Sequence, residues 1–189
     1  AKELVSSPAE VPGLITSDCD DVTYTALDEA TKKADCRVAY AKSFYAGAAN
    51  ANTKLAGEII APGRPNPAEA KAGLAACVDM IENVCHFVSA NEDDTIVYYA
   101  HALPDRSYLS EGAGIAEGEA LAYLIAPPLE ACTAWMPREG RRRPAVRAVR
   151  SPSETNFGGG LLTGSQSACK SACDAFAAGV EFVADNPID

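Results

Sequence analysis

The cysteines of this chain are regularly spaced. Cys36 and Cys77 are 41 residues apart, Cys132 and Cys173 are also 41 apart, and the two pairs are offset by 96 residues. A fixed offset is the first sign of internal duplication. The flanking sequences agree with it: PNPAEAKAGLAACVDMIENVCHFVSANED (65–93) and LTGSQSACKSACDAFAAGVEFVADNP (162–187) share one plan. Each has a Pro- or Gly-containing approach, an Ala-rich amphipathic helix bearing a cysteine, and a short strand-like segment centred on Phe87 or Phe182. A fainter copy surrounds Cys36 and Phe44, and LEACTAWMPREG at Cys132 is a degraded fourth. With 189 residues, one ordinary domain or two small ones can form. The expected fold class is therefore α+β: short antiparallel sheets, each packed with a disulfide-anchored helix, in two tandem related units. The expected boundaries are an extended arm at 1–15, a first unit at 16–103 and a second at 104–189.

Local signals place the elements. Asn66-Pro67 and Thr163 or Ser165 supply helix starts, with Glu69 in the first turn favoured by the helix dipole. Strand candidates are Thr95 to Ala100, Gly57 to Ala61, Ala145 to Val149 and Val180 to Val183, chosen for β-branched and aromatic content between turn signals. The longest apolar cluster, Leu121 to Ala126, stops at Pro127-Pro128, far short of the ~20 residues that span a bilayer.

Cysteine usage bears on compartment. Cys19, Cys36, Cys77, Cys85, Cys132, Cys169 and Cys173 contain no CxxC pair, and the two histidines, His86 and His101, complete no metal-ligand spacing. A disulfide framework with one thiol left over is the resulting expectation; buried free thiols packing as small hydrophobes are the competing one. The chain starts at Ala1 without methionine, as a mature chain does after its leader is removed, or as any chain with an arbitrary start does. Together these predict a secreted protein, extracellular or at the cell surface.

The segment Cys169-Lys170-Ser171-Ala172-Cys173, followed by a segment with a central phenylalanine, resembles the core motif of PAN/apple domains. That resemblance implies an extracellular protein- or carbohydrate-binding module with a disulfide-anchored helix on a small antiparallel sheet. It covers some 20–25 residues per copy and departs from the pattern. The family's third cysteine position holds Val180 in the last copy and Cys85 in the middle one, where Gly73 replaces the first helical cysteine.

The net charge of −10, with pI near 4.7, argues against general binding to nucleic acid or anionic lipid. The charge is uneven: residues 1–103 carry 8 basic and 15 acidic side chains, and residues 104–189 carry 8 and 11. Arg138, Arg141, Arg142, Arg143, Arg147 and Arg150 form one basic run, either a solvated loop or a docking patch for the acidic first half of a neighbouring copy. Chemistry is poorly served. Adjacent Cys85 and His86 would point to opposite faces of a strand, no G-x-S-x-G occurs, and Gly158 to Gly160 is not followed by Gly-Lys-Ser/Thr. The acidic clusters Asp18/Asp20/Asp21 and Glu92/Asp93/Asp94 do not match an EF-hand loop. The sequence thus predicts a non-enzyme without cofactors: a surface protein that self-assembles, such as a fibre subunit, with a monomeric glycan- or protein-binding module as the alternative.

Overall fold

The computed structural model describes residues 11–17, 19–39, 41, 63–64, 66–104, 108–109, 113–116, 118–135, 146–150 and 157–187. The chain divides into two compact units, Ala1–His86 with Ser107–Leu109, and Phe87–Arg106 with Ser110–Asp189. Among the described residues no helix is long and apolar enough to cross a membrane.

The first unit runs β1 (Val11–Pro12), α1 (Asp20–Lys33), β2 (Gly63–Arg64) and α2 (Pro67–Asn83), with β1 and β2 antiparallel and the two helices packed together. Helix α1 opens on Asp20 and Asp21 and closes on Lys32 and Lys33, charges that oppose the helix dipole at each end. Helix α2 is started by Asn66, whose side chain accepts the Ala68 N–H at 3.0 Å, and by Pro67 at its first position. It buries Ala70, Gly73, Cys77 and Met80, a 3–4–3 spacing that makes one face of a helix.

The second unit is a five-stranded antiparallel sheet in the order β3-β4-β5-β7-β6. Its strands are β3 (Val88–Ser89), β4 (Val97–Leu103), β5 (Ala120–Ala126), β6 (Val146–Arg150) and β7 (Gly158–Gly164), with helix α3 (Pro128–Trp135) between β5 and β6 and helix α4 (Gln166–Asp185) after β7. Every residue of β5 is buried, which suits its unbroken apolar sequence rather than an in-out alternation. Ala120, Ala122, Leu124 and Ala126 join Cys169, Ala172, Cys173, Phe176 and Val180 of α4 in one core. Leu121, Tyr123 and Ile125, on the opposite face, are buried as well. For the same reason Tyr98 and Tyr99 are both buried, although alternation in a half-solvated strand would expose one of them.

The duplication takes a clear form. In each unit a strand leads into a helix, a second strand leads into a second helix, the two strands pair antiparallel and the two helices pack: β1-α1 and β2-α2 in the first, β5-α3 and β7-α4 in the second. The caps of α2 and α4, Asn66 and Ser165, are 99 residues apart. At that spacing Ala70, Gly73, Cys77 and Met80 fall on Cys169, Ala172, Phe176 and Gly179, all buried. The 96-residue cysteine offset therefore finds the right helices but misaligns them by three residues, nearly one turn.

Two expectations need correction. No disulfide anchors either helix: none of the seven cysteines is disulfide-bonded, and five of them are buried. Val180 to Val183 is not a strand, because α4 continues to Asp185. Nothing between Cys173 and Val183 breaks the helical period, and Gly179 is accommodated where α4 crosses α3. The strand expected at 57–61, Phe44, and residues 1–10 of the expected arm lie outside the described residues.

Candidate functional site

The buried thiols are structural. In the first unit, burial pushes the Cys77 thiol up to about 12, and neighbouring Cys85 and Cys36 add to the rise. Cys36 donates to the Ala30 carbonyl at 3.9 Å. In the second unit, burial raises Cys173 to about 12 and is also the main cause of a rise at Cys169, which Glu119 reinforces. The Cys169 thiol donates to the Ala120 carbonyl at 3.4 Å, so it ties the first turn of α4 to the start of β5. Thiols held protonated in this way are poor nucleophiles.

Polar side chains placed inside each unit serve packing too. Asp28 of α1 is fully buried; one carboxylate oxygen accepts the Leu109 N–H at 2.8 Å and the other faces Lys32 Nζ at 3.1 Å. Tyr98 donates to Glu181 at 2.8 Å, linking β4 to α4. His101 stacks on Tyr99, ring centroids 5.9 Å apart and planes within 10°. Tyr99 in turn meets Phe87 and Tyr123, and Phe87 meets Phe157. This aromatic cluster was missed from sequence because its members come from four separate segments.

Among the described residues no group of three or more His, Cys, Asp or Glu side chains could hold a metal ion. Asn91, Glu92, Asp93 and Asp94 form a turn whose side chains bond within it: Asn91 Oδ1 accepts the Ile96 N–H and Thr95 donates to Asp93. Asp18 and the arginines at 138, 141, 142 and 143 lie outside the described residues, and Arg147 and Arg150 are placed only as positions on edge strand β6.

The surface offers one unusual feature. The exposed residues of α3 are Pro128, Leu129, Cys132 and Trp135, with Leu129 59% and Trp135 38% exposed. Its other face is closed against α4, where Ala134 meets Gly179 and Trp135 meets Phe176 edge-on at 6.4 Å. A solvated helix normally puts charge on its outer face, as α4 does with Lys170, Asp174, Glu181 and Asp185. Helix α3 has none there. The sequence signal for this face is that PLEACTAW carries a single charged residue, Glu130.

Known proteins agree with the fold. No protein-family model matches the sequence. The chain is 60% identical over 179 residues to the bacterial microcompartment shell protein EutL of Clostridium perfringens, covering 93% of this chain and 82% of that one. It is 63% identical to the crystal structure of the ethanolamine utilization protein EutL from Leptotrichia buccalis, with a TM-score of 0.81, covering 100% of this chain and 88% of that one. EtuB from Clostridium kluyveri shares the fold at 17% identity and a TM-score of 0.72, over 95% and 80% of the two chains. The class defined by this two-unit fold and these relatives is that of the bacterial microcompartment shell proteins. Within it, the chain belongs to the EutL family.

This membership overturns several expectations. The likeness to PAN/apple modules is false: the Cys169–Cys173 helix is a longer helix with free thiols, and the relatives are shell proteins. An extracellular or cell-surface location, secretion, a fibre subunit and a glycan-binding module are all replaced by a component of a bacterial microcompartment shell. Carbohydrate or surface-protein partners lose their support with them, while self-association fits the family. The physical source of the error was counting cysteines as crosslinks when they fill the core.

Proposed function

We propose that this chain is a structural, non-catalytic subunit of a microcompartment shell serving ethanolamine utilization, and that it forms the shell layer by associating with further copies. The observation that carries this reading is 60–63% identity to EutL proteins across nearly the whole chain. The internal duplication supports it, since two related units per chain give each copy two similar building blocks for a tiled layer. The arginine run from Arg138 to Arg150 remains the candidate polar contact to the acidic first half of a neighbouring copy.

The test is fractionation. Microcompartments isolated from ethanolamine-grown bacteria making a tagged full-length chain should contain it in the shell fraction. Recovery of the chain only as free protein, or in the medium, would sink the reading.

A further inference from the structure

We propose that Met80 of α2 is a reversible oxidation site, at which hydrogen peroxide converts the thioether to the sulfoxide beside the ammonium of Lys33. Met80 and Cys77 lie three residues apart on the buried face of α2 and are 5% and 0% exposed. A methionine in such a place ordinarily only fills space. Its neighbour sets Met80 apart. Lys33, the last residue of α1, donates from Nζ to Met80 Sδ at 3.1 Å. The same ammonium faces Asp79 at 3.4 Å, and both of those side chains stand well into solvent, 47% and 60% exposed. The sulfur is thus the part of Met80 turned toward the surface.

The chemistry follows from that placement. The thioether sulfur attacks one peroxide oxygen and the O–O bond breaks. The transferred oxygen gives up its proton to the departing hydroxide, so sulfide and peroxide become sulfoxide and water. Lys33 is a positioning residue in this step. Its ammonium bonds the departing hydroxide, and then the sulfoxide oxygen, a stronger acceptor than the thioether. Cys77 makes the contrast. A thiol reacts as its thiolate, and burial pushes Cys77 up to about 12, whereas a thioether needs no ionisation. Met80 is therefore oxidised first. The new oxygen enters the seam where α1 packs on α2, on a face shared with Ala70, Gly73 and Cys77. A sulfoxide is polar where the thioether was apolar, so the two helices pack less well until a methionine sulfoxide reductase removes the oxygen.

Peptide mapping of the native full-length chain after peroxide treatment at pH 7 tests this. Met80 should take up one oxygen while Cys77 stays reduced. The urea midpoint should fall, then recover on treatment with methionine sulfoxide reductase. Lys33→Gln keeps the reach of the side chain without its charge and should slow oxidation of Met80 about threefold; Lys33→Arg should restore the parent rate. Met80→Leu, a volume-conserving change, should fold and lose the response of the midpoint to peroxide. A Met80 that stays unmodified until the chain unfolds overturns the proposal, and so does a Cys77 that is oxidised first. Equal rates in Lys33→Gln and the parent also overturn it, because the ammonium then contributes nothing.

Discussion

Gly179 of α4 lies so close to Ala134 of α3 that a Cβ added at 179 would fall 2.7 Å from the Ala134 methyl and 2.9 Å from its Cα. The two helices of the second unit meet at this point, and only a residue without a side chain lets them approach so far.

Gly179→Ala therefore reverses the usual sign. On an open helix face the change would stabilise by about 0.8–1.0 kcal/mol. Here the overlap involves backbone as well as a methyl, and overpacking costs of about 1–3 kcal/mol predict a net loss near 1 kcal/mol. Urea denaturation measures it, and a more stable variant would contradict the packing described.

The Tyr98–Glu181 bond predicts a pH dependence. Burial, then the hydrogen bond to Glu181, raises the phenol from 10.0 to about 12. A group whose folded value is raised contributes stability that is complete below its unfolded value and lost as pH climbs through the folded one. Tyr98 should thus stabilise fully below pH 10, with the contribution fading between 10 and 12. Tyr98→Phe should cost about 1 kcal/mol at neutral pH and abolish that component of the alkaline decline in thermal unfolding.

Thiol reactivity separates the cysteines. At pH 8 a maleimide should modify exposed Cys132 within minutes, while Cys77, Cys85, Cys169 and Cys173, all buried, should react only on unfolding. Reductant should leave the melting temperature unchanged. A drop on adding it would restore the disulfide framework that the fold replaces.

Asp28 makes a separate prediction. Asp28→Ala removes the acceptor for the Leu109 N–H and the partner of Lys32 from a fully buried site. A loss of about 2–3 kcal/mol is expected, and faster amide exchange at Leu109 should accompany it.

What was legible in the sequence follows from what each signal measures. The duplication was visible because Cys77 and Cys173 lie on buried faces of corresponding helices, and both caps, Asn66 and Ser165, could be read from their side-chain chemistry. The disulfides were not there to be read: a small apolar thiol suits a core position as well as a crosslink, and spacing alone does not separate the two. The strand expected at Phe182 failed because a Gly and two valines weigh against a helix locally, while packing of Gly179 on Ala134 outweighs them. The α3 face was passed over because its eight residues are too few to show a period, and because an exposed tryptophan has the same sequence signature as a buried one.

Electron micrographs of the purified full-length chain at rising concentration test the central claim most directly. The account predicts ordered, extended layers that dissolve on dilution into small species built from 19.7 kDa chains. A chain that stays monomeric at every concentration, alone and with purified shell fragments, would contradict it.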